Sequence, residues 1–179
     1  MTRLALVLVG TDYHPFDRLV SWMDAWSRQH PDVRVLVQRG TSRPPSSAES
    51  VEFVEYSRVQ QLIAESAVVV CHGGPSTIAE CRRQQVIPLV VARDPRRGEH
   101  VDEHQMLFTA RLAASGIVRS AQAEAELVAM LDEALRDPSS VHAADTGAAE
   151  VAATCARFGA AVAALFPAAT RVKAPVGNP

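Results

Sequence analysis

Ala67-Val-Val-Val-Cys-His-Gly-Gly-Pro-Ser-Thr-Ile-Ala-Glu80 is the stretch that decides the fold. Its first five residues, Ala67–Cys71, form an unbroken apolar run that is typical of a strand buried on both faces. Two glycines then turn the chain, and Pro75 suits the first position of a helix that runs from Ser76 to about Gln84. A buried strand that leads through a glycine turn into a helix indicates a parallel α/β sheet.

The same alternation continues on both sides of this stretch. Further apolar runs predict strands at Leu4–Val9, Val33–Gln38, Val51–Val54 and Ile87–Val91. Apolar residues at helical spacing predict helices around Phe16–Trp26 and over Arg58–Glu65, Val101–Ser115 and Glu124–Arg136. This pattern predicts an α/β fold, namely one Rossmann-like domain with a parallel sheet of about six strands and helices on both faces.

Composition and charge exclude several classes of protein. The chain has 179 residues, enough for one domain with a full core, and a formal net charge of −2. That charge offers no basic face to a nucleic acid, and no stretch approaches the ~20 apolar residues of a membrane span. Three unpaired cysteines (Cys71, Cys81 and Cys155) indicate neither a disulfide framework nor a zinc knuckle. We therefore expect a soluble, cytoplasmic protein, with the Ser/Pro-rich segment Arg39–Ser50 as its least ordered internal loop.

The final third of the chain is rich in alanine, which favours helix. Apolar residues spaced four and three apart form one seam of a helix predicted over about 144–166: Ala144, Ala148, Val151, Cys155, Phe158, Val162 and Leu165. This seam either packs on the chain's own sheet or docks on a partner protein. The prediction is one domain over 1–167 with its core at 3–137, and a disordered tail over 168–179, where Pro and Gly interrupt any periodicity.

The glycine turn is also the first candidate for chemistry. In an open parallel sheet, ligands bind at the carboxyl ends of strands, where helix N-termini point. The N–H groups of Ser76 and Thr77 have no partner within their helix, so together with the helix dipole they form an anion site. Glu80 lies one turn further on, where a carboxylate can accept hydrogen bonds from ribose hydroxyls. The alternative is an ordinary helix start with a solvated Glu80.

Two histidine-bearing segments lie at the same predicted edge. His100-Val-Asp-Glu-His104 spells H-x-x-E-H, the inverted zinc-peptidase motif, in which two histidines hold zinc and Glu103 is the general base. A string of five residues also arises by chance, and such a site needs a third ligand far downstream. His14 lies in a loop before the first helix, where it is either a helix-entry residue or part of a site.

Four strings resemble the nucleotide-binding half of family 28-type GT-B glycosyltransferases, and they follow the family's order and spacing from Leu4 to about Val118. They are Val9-Gly-Thr-Asp-Tyr-His-Pro-Phe-Asp-Arg-Leu-Val20, Val37-Gln-Arg-Gly40, Cys71-His-Gly-Gly-Pro-Ser-Thr-Ile-Ala-Glu80 and Gly98-Glu-His-Val-Asp-Glu-His-Gln105. The chain most resembles the small, PssE-like subunits of split bacterial exopolysaccharide and capsule glycosyltransferases. These are related to the donor-binding subunit of the dolichol-pathway N-acetylglucosaminyltransferase.

The resemblance implies roles for individual residues. The nucleotide diphosphate would be held by the glycine turn and the start of its helix, at Gly73, Gly74, Ser76 and Thr77, with His72 in the same string. Glu80 would bind the ribose, and the backbone at Phe53 and Val54 the uracil. Gln105 would contact the donor sugar, beside Glu99, His100 and His104, while Gly10 and Thr11 approach the phosphates. Glu99, His104 and His14 are the catalytic candidates, and the general base is His14 or a residue of a partner.

The resemblance also implies an activity and a partner. We expect the donor-binding subunit of a two-component inverting glycosyltransferase, which moves a sugar from a UDP-sugar to a lipid-linked acceptor in polysaccharide biosynthesis. The partner would be a membrane-anchored, acceptor-binding (PssD-like) subunit that recruits the chain to the inner face of the plasma membrane. The helix dipole would stabilise the leaving diphosphate, so no metal or cofactor is expected. The alternative is a non-catalytic nucleotide-binding subunit that enhances or regulates a partner. Gln85, Val86 and Ala92 depart from the family pattern and leave the sugar open.

Overall fold

A computed structural model describes residues 2–143 and 148–165. In this part of the chain, six parallel strands form one sheet in the order β3-β2-β1-β4-β5-β6. The strands are β1 (Arg3–Leu8), β2 (Val33–Gln38), β3 (Glu49–Val51), β4 (Val68–Cys71), β5 (Leu89–Val90) and β6 (Arg119–Ser120). The predicted Rossmann-like α/β fold is confirmed. The strand order reverses between β1 and β4, and such a switch point is where ligands bind in open α/β sheets.

Helices follow the strands and cover both faces of the sheet. They are α1 (Asp17–Gln29), α2 (Tyr56–Glu65), α3 (Pro75–Arg83), α4 (His104–Ala114) and α5 (Glu124–Arg136), with short 3₁₀ turns at Pro95–Arg97 and Pro138–Val141. A further helix, α6 (Ala148–Leu165), follows them in the chain. None of the described helices is long and apolar enough to cross a membrane.

The two faces of the sheet carry separate halves of the core, because successive side chains of a strand point to opposite faces. Ala5 and Val7 of β1 pack in the half that includes residues of α1 and α5, among them Trp26. Leu6 and Leu8 of the same strand pack in the other half, with residues of α2, α3 and α4. Burial on both faces explains why β1 and β4 read as continuous apolar runs.

Three local predictions were wrong. The strand predicted over Val51–Val54 lies at Glu49–Val51, because its pairing with Leu36–Gln38 of β2 sets its position. The helix predicted from Val101 begins only at His104, where the Asp102 carboxylate accepts the His104 N–H.

The third wrong prediction concerns the Ser/Pro-rich loop, which is tied down. The buried carboxylate of Asp24 accepts hydrogen bonds from the Ser46 hydroxyl and from the backbone N–H groups of Ser47 and Ala48. Burial raises the pKa of Asp24, but these hydrogen bonds outweigh it, and the pKa lies well below its usual value.

The chain divides into two units, the first ending at Thr146 and the second beginning at Gly147. In the second unit α6 confirms the alanine-rich helix over Ala148–Leu165. The rest of the helix predicted over 144–166 and the tail predicted over 168–179 lie outside the described residues. The predicted domain limits stay a prediction.

Candidate functional site

The glycine turn connects β4 to α3 at the centre of the sheet. Gly73 has a φ of +89°, a conformation that L side chains rarely adopt, and Gly74 is the residue that precedes α3. Pro75 is the first residue of α3, so the backbone N–H groups of Ser76 and Thr77 lie in its first turn. The backbone predicted to bind an anion is therefore formed.

His72 forms the floor of this turn. Its ring is buried, and Nδ1–H donates to the Leu8 carbonyl at 3.2 Å. A Cβ at Gly10 would lie 2.6 Å from the ring, and one at Gly74 would collide with Nε2, so both positions require glycine. Burial lowers the pKa of His72 to about 4, which keeps the imidazole neutral at pH 7.

A cleft of about 380 Å³ opens above His72, at the carboxyl ends of β1 and β4. We call it the nucleotide cleft. Its lining includes eight of the predicted nucleotide-binding residues: Gly10, Thr11, Val54, His72, Gly74, Ser76, Thr77 and Glu80. Leu8, Gln38, Tyr56, Val59 and Pro75 complete it. The structure thus brings the glycine turn, the loop after β1 and Glu80 together around one cavity.

Glu80 lies at one end of the nucleotide cleft in a dense set of donors. Its carboxylate accepts from the Tyr56 hydroxyl (2.8 Å), Arg83 (2.5 Å), Gln60 (3.1 Å) and Gln84 (3.3 Å). Burial raises the pKa of Glu80, but these hydrogen bonds outweigh it and the pKa lies below its usual value. Glu80 is therefore an ionised acceptor, and a ribose hydroxyl that bound it would take the place of a donor such as Tyr56, because a carboxylate has about four acceptor positions.

One buried cation ties together the loops beside the cleft. The Arg93 side chain is fully buried and donates to the carbonyl oxygens of Val9 (2.7 Å), His14 (2.8 Å) and Glu99 (2.9 Å). These three carbonyls belong to the loop after β1 and to the loop that precedes α4. Arg93 therefore fixes the position of one loop relative to the other.

The side chain of Glu99 also connects two elements through hydrogen bonds. Its carboxylate accepts two hydrogen bonds from Arg18, at 2.9 and 2.7 Å, and a third from the backbone N–H of Asp94 at 2.9 Å. It is almost fully buried. The geometry gives Glu99 a positioning role between α1 and this loop, whereas the sequence predicts it among the catalytic residues.

Three more of the predicted site residues, His14, His100 and His104, form a group that we call the histidine cluster. His14 pairs with Asp12, and His104 pairs with Asp102. His100 lies between the two pairs, with ring centroids 6.1 Å from His14 and 4.7 Å from His104. Because α4 begins at His104, His100 and His104 do not share a helix, and the arrangement assumed for the zinc-peptidase motif is not formed.

Gln105 and Thr109 are one turn apart on α4 and are both buried. Within the described part of the chain, neither Oε1 of Gln105 nor Oγ1 of Thr109 has a hydrogen-bond partner. A Cβ at Gly73 would lie 2.7 Å from Thr109 Oγ1, so this face of α4 lies against the glycine turn. A buried acceptor without a partner fits the predicted contact of Gln105 with a ligand.

Four of the predicted binding residues lie outside the lining of the nucleotide cleft: His100 and Gln105, described above, and Phe53 and Gly73. Phe53 is exposed and borders a different groove beside β3. Gly73 is part of the glycine turn but is buried. Sequence reasoning missed Asp12, Arg93 and Tyr56. The spacing of Asp12 and His14 was a usable signal for their pairing, whereas Arg93 and Tyr56 act across sequence distances that no local pattern reveals.

Comparison with known proteins places this geometry in a family. The sequence profile of the glycosyltransferase family 28 C-terminal domain matches residues 4–157. The chain belongs to this family. A comparison with curated proteins gives no match.

Solved structures similar to this family 28 domain confirm the fold. The glycotransferase of kitacinnamycin superposes with a TM-score of 0.59 at 20% identity, over 77% of this chain and 36% of that one. MurG from Acinetobacter baumannii superposes with a TM-score of 0.54 at 17% identity, over 78% of this chain and 43% of that one. The calicheamicin glycosyltransferase CalG4 superposes with a TM-score of 0.54 at 13% identity, over 97% of this chain and 43% of that one. The family 28 domain thus spans less than half the length of each of these chains.

Proposed function

We propose that this family 28 domain binds the UDP-sugar donor of an inverting glycosyltransferase. The observation that carries the proposal is the nucleotide cleft, where the N-terminus of α3 and the ionised Glu80 border one cavity. The start of a helix attracts a diphosphate through its free N–H groups and its dipole. Glu80 supplies the acceptor that two ribose hydroxyls need.

The transfer step needs stabilisation of the leaving group. The acceptor oxygen attacks the anomeric carbon as the bond from that carbon to the diphosphate oxygen breaks, and the bond's electron pair goes to the diphosphate. The N–H groups of Ser76 and Thr77 are placed to stabilise this charge, which is the role of fixed dipoles in a transition state. We therefore propose that transfer requires no metal ion, and that Gln105 accepts a hydrogen bond from the sugar.

The acceptor hydroxyl must also lose its proton. On this chain the candidate proton acceptor is His14, because Asp12 holds its ring at 2.7 Å from the carboxylate. A carboxylate in this position orients an imidazole and stabilises its protonated form. The alternative is a base on the partner, which the sequence resemblance also allows.

The acceptor side is proposed to lie on another polypeptide. The domain resembles the donor-binding subunits of split polysaccharide glycosyltransferases, whose partner is membrane-anchored and presents a lipid-linked sugar. We propose that this partner recruits the chain to the inner face of the plasma membrane, and that α6 takes part in the contact. A polysaccharide is the proposed product.

A non-catalytic role is the second candidate, and Glu99 favours it. Its carboxylate is almost fully buried and binds Arg18 and the Asp94 N–H, which is the environment of a positioning residue. A subunit that only binds the nucleotide would need the cleft and not Gln105. UDP release measured with the co-expressed partner separates the two: Gln105→Ala abolishes release if the domain takes part in transfer, and leaves it unchanged if the domain only enhances the partner.

Calorimetric titration of the purified domain with UDP, in EDTA, tests donor binding. We expect UDP to bind more tightly than GDP or ADP. Gly74→Ala should abolish binding, because the added methyl collides with His72 and displaces the turn. Gly159→Ala is the matched control, since Gly159, like Gly74, has no positive φ but has open space around its Cβ. Equal binding of all three nucleotides, or undiminished binding by Gly74→Ala, would contradict the proposal.

A further inference from the structure

The histidine cluster contains a contact that its own hydrogen bonds do not explain. Oδ2 of Asp12 lies 3.5 Å from Nδ1 of His100. The same Nδ1 accepts a hydrogen bond from the backbone N–H of Val101 at 2.8 Å. It therefore carries a lone pair rather than a proton, so no hydrogen bond joins His100 to the Asp12 carboxylate. A cation that bound both atoms would take the place of the Val101 N–H at Nδ1.

His14 completes a set of three potential ligands. One ligand atom from each of Asp12, His14 and His100 lies within 4.8 Å of the others. All three side chains are partly buried. In a tetrahedral zinc site with bonds of about 2.0–2.1 Å, neighbouring ligand atoms are about 3.3 Å apart. The Asp12–His100 separation of 3.5 Å is already close to that value, and no separation exceeds it by more than about 1.5 Å, which small side-chain rotations can close.

The chemistry of these ligands selects the class of ion. Two imidazoles and one carboxylate suit zinc and similar transition-metal ions, whereas Mg²⁺ prefers oxygen ligands only. A second trio, of His100, Asp102 and His104, shares His100, but Asp102 and His104 are exposed. Solvent screens the charges of a partly buried site less than those of an exposed one. The backbone that carries its ligands is also held in place, because Arg93 binds the His14 and Glu99 carbonyls.

We propose that Asp12, His14 and His100 form a binding site for a divalent transition-metal ion of the zinc class. The site differs from the zinc-peptidase motif, because its ligands come from two loops and do not include Glu103. None of its three ligands lines the nucleotide cleft, which holds the nucleotide in the proposed donor binding. An ion here would engage the His14 imidazole, so zinc is expected to inhibit a transfer reaction that uses His14 as its base.

Equilibrium dialysis of the purified domain against ZnCl₂, with metal analysis, tests the site. We expect one Zn²⁺ per chain, and no binding of Mg²⁺ at the same concentration. His14→Gln and Asp12→Asn should each weaken Zn²⁺ binding by tenfold or more, and His100→Gln should do the same. Thermal unfolding in EDTA confirms that each variant is folded.

The second Asp–His pair supplies the matched controls. Asp102→Asn and His104→Gln remove the same chemical groups from the exposed trio and should change Zn²⁺ affinity by less than about twofold. Absence of Zn²⁺ binding, or loss of binding in these controls but not in the Asp12 and His14 variants, would overturn the proposal. UDP titration in EDTA is a separate measurement, so failure of the metal site and failure of donor binding are distinguishable.

Discussion

Two short segments of this domain, Asp12-Tyr13-His14 and Asp102-Glu103-His104, have the same local chemistry and different surroundings. In each, the aspartate Oδ1 accepts from the backbone N–H of the histidine two residues later, at 2.9 and 3.0 Å, and contacts its ring Nδ1. The side chains of the first pair are 18–20% exposed, and those of the second are 58–61% exposed. Sequence spacing creates the pair, but burial and the neighbouring loops decide what the pair can do.

Removing the cation behind the first pair should have the largest effect. Arg93→Met leaves the carbonyls of Val9, His14 and Glu99 without their charged donor. We expect the free energy of unfolding to fall by about 3 kcal/mol, measured by chemical denaturation, because buried charge-assisted hydrogen bonds are costly to lose.

Arg111→Met on α4, near the second pair, is the control for this change. Arg111 is exposed, so its substitution should change the free energy of unfolding by less than about 0.5 kcal/mol. Equal effects of the two substitutions would show that the loops around the first pair are not held by Arg93.

The buried imidazole of His72 predicts that the stability of the domain depends on pH. His72 has a pKa of about 4 in the folded domain, against about 6.5 in an unfolded chain. The unfolded state therefore binds more protons between these values, and stability falls as the pH is lowered from about 6.5 to 4. The full loss is about 3 kcal/mol. His72→Gln should flatten this part of the curve of unfolding free energy against pH, whereas His142→Gln, at an exposed position, should leave it unchanged.

Substitution of either Asp12 or Asp102 by asparagine should have the smallest effect on the free energy of unfolding, and the two substitutions compare the partly buried pair directly with the exposed pair. Asp12→Asn weakens the hold on a partly buried ring and should lower the free energy of unfolding by about 1 kcal/mol. Asp102→Asn should change it by less than about 0.5 kcal/mol, since exposed ion pairs contribute little. Denaturant titration of both variants in parallel gives the comparison. A larger loss from Asp102→Asn would reverse the ranking that burial predicts.

The sequence was sufficient to predict the buried strands and the amphipathic helices, because each has a recognisable local pattern. The apolar runs gave the sheet because β1 and β4 are buried on both faces, and α5 occupies the predicted range Glu124–Arg136. Strand β6 has only two residues, Arg119 and Ser120, and its pairing with β5 carries no local signal. Asp24 orders a Ser/Pro-rich loop whose composition favours disorder, through contacts that span more than 20 residues.

In the candidate site, too, the local features could be predicted and the contacts between distant segments could not. The glycine turn and Glu80 were predictable, because a strand, a turn and a helix place them within ten residues of each other. The Tyr56–Glu80 hydrogen bond, the Arg93 contacts and the engagement of Glu99 by Arg18 were not, because each joins elements far apart in sequence. These contacts determine which predicted residues are free to bind a ligand.

The most direct test of the central claim is the affinity of wild-type domain and Glu80→Ala for UDP and for 2′,3′-dideoxy-UDP, measured by calorimetry in EDTA. If Glu80 binds the ribose, wild type should prefer UDP by about tenfold or more, and Glu80→Ala should bind both nucleotides equally, because charged hydrogen bonds are worth about 1.5–3 kcal/mol. Glu65→Ala, on the exposed side of α2, should behave as wild type. An undiminished preference for UDP in Glu80→Ala would contradict the assignment of this cleft as the nucleotide site.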